Sequence, residues 1–178
     1  LETFRTLNNK EIRKLNEIAK KYDIKYHNKH KLDLVEEILS NVDIIPNSIA
    51  LAQAAIESGW GKSRFAKEYN ALFGEYTYDN SKGVIPLERE NGDTHLIRAF
   101  SSYSNSVESY FNNINSHYAY EDFRDIRNIM RKRNNFSNVN LLVNKLSTYA
   151  EDENYIKTIT QVIKTNNFTI FDQKTISY

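Results

Sequence analysis

One glutamate could do chemistry, because it lies near the end of the most hydrophobic helix that the sequence predicts. Glu57 follows the apolar stretch 48–56, which should be buried nearly all round. Burial disfavours a charged carboxylate and raises its pKa, and the partial negative charge of a helix C-terminus acts in the same direction. A carboxylic acid that stays protonated near neutral pH suits general acid catalysis, as in glycoside hydrolysis. The alternative is a structural carboxylate paired with Arg64 or Lys62.

A second carboxylate is expected on a β-hairpin. The Asn-Gly dipeptide at 91–92 is a strong signal for a two-residue turn, and pairing outward from it sets Glu88 opposite His95. Glu88 and Glu90 then share one face, since side chains alternate along a strand. Either could act with Glu57 across a cleft. The alternative is a solvated hairpin face with an ordinary cross-strand ion pair.

Other candidate groups point less clearly to a reaction. Trp60 lies between two glycines and could be a surface on which a sugar ring stacks, or simply part of the core. His27 and His30 are three residues apart in a polar link, and we interpret them as solvated rather than as metal ligands. The chain has no cysteine, no glycine-rich phosphate loop, no zinc-binding His-Glu-x-x-His motif and no serine nucleophile elbow. No metal or organic cofactor is implied.

The elements that must hold these residues are mainly helical. Between the helical segments, residues 84–100 change to the period of strands, and a short sheet is expected there, joined by residues near 73–76. Five to seven helices with one small β insertion predict an α+β domain. Apolar residues recur at helical spacing in 8–22, 31–40, 47–58, 107–114, 123–130, 141–146 and 155–163.

Composition limits the partners. The 178 residues are 40% hydrophobic, which is enough for a core, and carry a formal net charge of +1. This balance argues against nucleic acid as a partner, because nucleic-acid-binding domains are usually clearly basic. No run of 18 apolar residues occurs, so stable membrane insertion is not expected. No secretory leader is visible in this chain.

Four motifs, in order, resemble one family. The chain is similar to the glucosaminidases of glycoside hydrolase family 73, which include the flagellar peptidoglycan hydrolase domain and staphylococcal-type autolysins, and within them to the Bax-like proteins of Gram-negative bacteria. The resemblance is strongest over residues 45–133. The motifs are Ala-Gln-Ala-x-x-Glu-Ser-x-Trp-Gly at 52–61, Asn-x-Leu-Phe-Gly at 70–74, Glu88 before Asn91-Gly92 with Phe100 and Tyr103, and Tyr-Ala-x-Asp-x-x-Tyr at 149–155.

The resemblance implies a fold, a reaction and a set of site residues. It implies a mainly helical, lysozyme-like α+β domain with a small β-hairpin lobe, and cleavage of the β-1,4 bond after N-acetylglucosamine in peptidoglycan. Glu57 is then the general acid, and Glu88 fits the second carboxylate better than Glu90. The implied substrate-binding residues are Gln53, Trp60, Asn70, Phe73, Tyr103 and Tyr149.

The sequence also predicts a domain organisation, and two functions stay open as alternatives to the glucosaminidase. Residues 1–45 are expected to form an N-terminal helical extension packed on the body, and residues 46–178 the glucosaminidase domain. The resemblance implies glycan strands of peptidoglycan as the partner, and a periplasmic or secreted location is expected from that function. A lytic transglycosylase, which also uses one glutamate, is one alternative. A non-catalytic peptidoglycan-binding domain is the other, although such a module has no need of a buried acid.

Overall fold

Helices make up most of the described chain, and a small antiparallel sheet lies between the fourth helix and the fifth. The computed structural model describes residues 7–25, 31–86, 94–135, 138–150 and 152–172. The helices are α1 (Asn9–Lys21), α2 (Lys31–Asn41), α3 (Asn47–Glu57), α4 (Arg64–Tyr69), α5 (Tyr103–Ser116), α6 (Glu121–Lys132), α7 (Asn140–Val143) and α8 (Tyr155–Thr165). The strands are β1 (Tyr76–Thr77), β2 (Gly83–Val84) and β3 (Leu96–Arg98), and two 3-10 turns cover Tyr118–Tyr120 and Phe168–Phe171. The predicted mainly helical α+β class is confirmed.

The larger core surrounds α3. Ile49 and Ala52 of this helix are fully buried, and α3 packs on α8 and on the C-terminal 3-10 turn. Because Pro46 precedes α3, no side chain of the adjoining residues caps its N-terminus. The cap comes from the far end of the chain instead: the backbone N–H of Ser48 donates to Asp172 Oδ1 at 2.8 Å. A carboxylate at a helix N-terminus is stabilising, since it meets unpaired N–H groups and the positive end of the dipole.

A smaller core joins α1 to α2. The sequence predicts a helix at 8–22 with a capping box, and both halves of the box are present: the Asn8 side chain accepts from the N–H of Glu11, and the Glu11 carboxylate accepts from the N–H of Asn8. Ala19 is buried against the apolar residues of α2. α1 also contacts α5, where Asn112 Nδ2 donates to the carbonyl of Lys21 at 3.1 Å. The division of the chain at residue 45 stays a prediction.

The sheet has the strand order β1-β3-β2, and both pairings are antiparallel. Tyr76 pairs with Ile97, and Gly83 pairs with Arg98. Within the predicted strand segment 84–100, Val84 of β2 and all of β3 are strand, and Tyr76 joins the sheet through β1 as expected of the residues near 73–76. The predicted turn at 91–92 lies outside the described residues, together with Glu88 and Glu90.

A buried arginine fastens the link between α2 and α3. Arg127 of α6 is fully buried and donates to the backbone carbonyls of Asn41, Asp43 and Ile44 at 2.7–3.2 Å. It also donates to Asn115 Oδ1 on α5 at 2.6 Å. Burial lowers the pKa of Arg127 to about 10, so the guanidinium is still charged at neutral pH. One side chain thus holds the entry to α3 against two helices.

We expect Arg127→Met to lower the free energy of unfolding by about 3 kcal/mol, because three partly buried carbonyls and the Asn115 side chain lose a charged donor. Urea unfolding followed by circular dichroism measures this loss. Arg133→Met at the exposed end of α6 is the matched control, with an expected change under about 0.5 kcal/mol. Equal effects in the two variants would contradict the role given to Arg127.

Candidate active site

Glu57 is the last residue of α3 and lies in a partly buried position. Burial raises the pKa of its carboxyl, and a hydrogen bond from the Tyr155 hydroxyl acts against that rise. Among the described residues, no lysine or arginine forms an ion pair with Glu57; Arg64 donates instead to the carbonyl of Ile85 at 3.2 Å. The alternative of a structural ion pair with Arg64 or Lys62 therefore finds no support.

Three buried side chains form a line of hydrogen bonds that ends on this carboxyl. The Tyr110 hydroxyl of α5 donates to Gln53 Oε1 at 2.7 Å, and Gln53 Nε2 donates to the Tyr155 hydroxyl at 3.0 Å. The Tyr155 hydroxyl in turn donates to Glu57 Oε1 at 2.7 Å. Gln53 and Glu57 can share this line because residues four apart lie on the same face of a helix.

The second oxygen of the carboxyl points toward the Asn-x-Leu-Phe-Gly segment. A β-carbon built on Gly74 would lie 3.5 Å from Glu57 Oε2, so the backbone passes close to the acid here. Phe73 is buried and stacks on Tyr110, with ring centroids 4.0 Å apart. The Tyr149 hydroxyl donates to the carbonyl of Phe73 at 3.1 Å, and its ring lies parallel to that of Tyr155 at 5.8 Å. Two tyrosines and this segment therefore form a fixed surround for Glu57.

Trp60 combines exposure with an unfavourable backbone. Its side chain is 56% exposed, and its φ of 58° is left-handed, as are those of Gly59 and Gly61 at 56° and 71°. A left-handed conformation is rare for a bulky residue and is often kept at functional sites. The Trp60 ring also lies 6.4 Å from that of Phe168. Of the two interpretations of Trp60, the exposed platform fits this position better than the core does.

The other predicted site residues are distributed between the core and the surface. Gln53 is fully buried and Phe73 nearly so, which leaves neither free to contact a substrate in this structure. Asn70 ends α4 in a left-handed conformation, and its Nδ2 donates to the carbonyl of Phe100 at 3.0 Å. Tyr103 is 48% exposed at the start of α5. Glu88 lies outside the described residues.

A second partly buried carboxylate, that of Glu75, was not foreseen from the sequence. The side chain of Glu75 is only 12% exposed; its Oε2 accepts from the Ser109 hydroxyl at 2.7 Å and lies 3.7 Å from Arg98. Burial raises the pKa of Glu75, while Ser109 and Arg98 lower it. These contacts connect the start of β1 and the end of β3 to α5, and so hold the sheet against that helix. Only its position directly after the 70–74 motif could have drawn attention to Glu75.

The described residues hold no group of three or more histidines, aspartates and glutamates that could bind a metal ion. Over the same residues, none of the helices has the length and apolar character needed to cross a bilayer.

Comparison with known proteins agrees with the predicted resemblance. Residues 32–168 match the family model named Glucosaminidase, described as mannosyl-glycoprotein endo-beta-N-acetylglucosaminidase. Protein bax of Escherichia coli K12 is 34% identical over 137 residues, which cover 77% of this chain and 48% of that protein.

Two further relatives share a shorter segment. The peptidoglycan hydrolase FlgJ of Escherichia coli K12 is 34% identical over 93 residues, or 45% of this chain and 29% of that protein. The corresponding protein of Salmonella typhimurium is 32% identical over the same length. The chain thus spans about half or less of the curated relatives it matches. No solved structure matches it significantly.

The strain at Trp60 can be measured by comparing Trp60→Gly with Trp60→Ala. Both variants lose the ring, but only alanine keeps a β-carbon in the left-handed conformation. We therefore expect Trp60→Gly to be the more stable of the two by about 1 kcal/mol in urea unfolding. The control is the exposed helical residue Glu68, where Glu68→Gly should be less stable than Glu68→Ala because glycine destabilises a helix. A Trp60→Ala variant as stable as Trp60→Gly would contradict the strain.

Proposed function

The chain belongs to the glucosaminidase family, and from that premise we propose that it is a peptidoglycan hydrolase, an endo-β-N-acetylglucosaminidase with Glu57 as its general acid. The observation that carries the proposal is the state of the Glu57 carboxyl: partly buried, with a raised pKa and with no cation paired to it among the described residues. These are the conditions under which a carboxylic acid keeps its proton near neutral pH.

The mechanism begins with proton transfer to the leaving group. In this mechanism a glycan strand binds between the helical body and the predicted hairpin, and neutral Glu57 protonates the glycosidic oxygen. Water then completes the hydrolysis at the anomeric carbon. It attacks directly, with Glu88 accepting its proton, or it opens an intermediate formed by prior attack of Glu88 or of the substrate's own acetamido group. With Glu88 as base the two carboxyls would be about 6.5–9.5 Å apart, and with Glu88 as nucleophile about 5–5.5 Å apart.

The remaining site residues act around this transfer. Trp60 offers an exposed ring for sugar stacking, and Tyr103 is accessible for contact with the strand. Gln53, Asn70 and Phe73 support the acid and its surround rather than touch sugar, since each is engaged or buried within the protein. Peptidoglycan lies outside the cytoplasm, so the proposed activity places the protein in the periplasm or outside the cell.

A lytic transglycosylase is the second candidate. The partly buried Glu57 carboxyl, held by the Tyr155 hydroxyl, would serve as the acid of this reaction as well. Transglycosylation needs one acid and leaves anhydro-muramic ends, whereas hydrolysis leaves reducing ends. The products therefore distinguish the two reactions.

We expect wild-type protein to release fragments ending in reducing N-acetylglucosamine from purified peptidoglycan, and Glu57→Gln to lose this activity by about 100-fold or more. Mass spectrometry of the fragments and an assay of reducing ends provide the measurement. Glu68→Gln, at an exposed position of α4, is the control that should keep full activity. Anhydro ends would identify a transglycosylase. Binding without cutting by the folded wild type would indicate a non-catalytic module.

Glu88→Gln tests the second carboxylate. If Glu88 is base or nucleophile, we expect kcat to fall by about 100-fold or more, with Glu57 unaltered. Glu90→Gln is the matched control, two residues along the same predicted strand, and should keep activity within a few-fold of wild type. Near-normal rates for Glu88→Gln would exclude that role and leave substrate assistance by the acetamido group.

A further inference from the structure

The line of hydrogen bonds that ends on Glu57 has one consistent direction. The Tyr110 hydroxyl donates to Gln53 Oε1, which leaves the Gln53 amide nitrogen as the donor to Tyr155. With one lone pair of the Tyr155 hydroxyl occupied in this way, its own proton is directed to Glu57 Oε1 at 2.7 Å. An oxygen that accepts this bond is the carbonyl oxygen of a neutral carboxyl group, so the acid proton belongs on Oε2.

The opposite arrangement is costly. If Glu57 carried its proton on Oε1 and donated it to Tyr155, the Tyr155 hydroxyl would accept two bonds and its own proton would need another acceptor. Tyr155 is 4% exposed, and within the described residues its hydroxyl bonds only to Gln53 and Glu57. A buried donor without an acceptor is destabilising, because it has lost its hydrogen bond to water and gained none in return. The hydrogen bonds from Tyr110 through Gln53 to Tyr155 therefore favour the Glu57 proton on Oε2, the carboxyl oxygen that Tyr155 does not contact.

Oε2 is the oxygen placed for chemistry. It lies beside Gly74, where the backbone passes without a side chain, and no hydrogen bond from a described residue ends on it. Glu57 as a whole is only partly buried, and Tyr155 engages its other oxygen.

We infer that Tyr155 and Gln53 are positioning residues, which hold the acid proton of Glu57 on Oε2 and aim it at the scissile glycosidic oxygen. The part of this inference that concerns the glycosidic oxygen rests on the proposed function, whereas the part that concerns the hydrogen bonds does not. Tyr110 anchors the far end of the line from the centre of the core, where it is fully buried. Since each bond polarises the next, loss of Gln53 also weakens the donor at Tyr155.

Few other titratable groups act on Glu57. Tyr155 of α8, Tyr149 before it and Tyr120 of the first 3-10 turn are the described residues whose ionisation is coupled to the Glu57 charge. Burial raises the pKa of Tyr120 to about 12, and those of Tyr149 and Tyr155 further, so all three stay neutral where the acid works. A change in the titration of Glu57 on altering Tyr155 thus reports their hydrogen bond.

The test compares Tyr155→Phe with wild type over pH, using soluble glycan strands as substrate. A general acid is active only while protonated, so activity falls as pH rises through its pKa. Loss of a donor to the carboxylate raises that pKa, and we expect the alkaline limb of the kcat profile to move to higher pH. At the same time kcat should fall by about tenfold to a hundredfold because the proton is no longer aimed, with KM nearly unchanged.

Two further variants separate positioning from stability. Gln53→Met should move the alkaline limb in the same direction by a smaller amount. Tyr120→Phe is the matched control: Tyr120 is also a buried tyrosine near Tyr149, with ring centroids 6.2 Å apart, but its hydroxyl makes no hydrogen bond to Glu57. Its limb should stay in place. An unmoved limb in Tyr155→Phe, with a rate that follows only the folded fraction, would overturn the inference.

A titration without substrate keeps this test independent of the proposed function. The carboxyl carbon of Glu57, labelled with ¹³C, should titrate at higher pH in Tyr155→Phe than in wild type. If wild type did not cut peptidoglycan, the proposed function would fail while this titration still decided the hydrogen bond. If Tyr155→Phe did not fold, the titration would be made with Gln53→Met instead. A titration midpoint for Glu57 equal to that of wild type would then overturn the inference.

Discussion

The amide of Gln53 is the interaction on which the centre of the molecule depends. A fully buried amide must find partners for both its oxygen and its nitrogen, and it finds them in two tyrosines on two different helices. α3, α5 and α8 are therefore held in one register by polar contacts as well as by apolar packing. Unlike the surrounding leucines and isoleucines, which tolerate some rearrangement, this amide specifies a single geometry.

The same constraint explains why the acid is both buried and oriented. Apolar packing alone would bury Glu57 and raise its pKa but would leave the carboxyl free to rotate. The Tyr155 hydroxyl restricts that rotation and moderates the rise in pKa. Burial and hydrogen bonding thus act in opposite directions on the charge of the group while acting together on its position.

Local patterns in the sequence predicted the elements well and the contacts poorly. The capping box at Asn8 and the buried helix that ends at Glu57 follow from short-range spacing, and the structure contains both. Of the predicted strand segment 84–100, the described part contains Val84 of β2 and all of β3. The stripe at 141–146 suggested a full helix, but only one turn, α7, forms there. Glu57 was chosen for its place at the end of the buried helix and Trp60 for its place between two glycines, and the order of the motifs then implied their catalytic and binding roles, which stay predictions.

What the sequence could not provide is the long-range pairing of polar side chains. The family resemblance implied that Gln53 binds substrate, a role that stays a prediction; its hydrogen-bond partners Tyr110 and Tyr155 are 57 and 102 positions away. Glu75 was missed for the same reason, since its contact with Ser109 spans 34 positions and no local spacing marks it. Burial of a polar group depends on tertiary partners, which periodicity does not reveal.

Both ends of α3 depend on residues far along the chain, and this has a consequence for biosynthesis. The helix that carries Glu57 receives its N-terminal cap from Asp172 and the orienting hydroxyl of its acid from Tyr155. A nascent chain in which residue 57 has been synthesised but residue 155 has not contains Glu57 without the Tyr155 hydroxyl that orients its carboxyl. Contacts of such sequence separation form late in folding. The acid is therefore assembled only once nearly the whole of the described chain has left the ribosome.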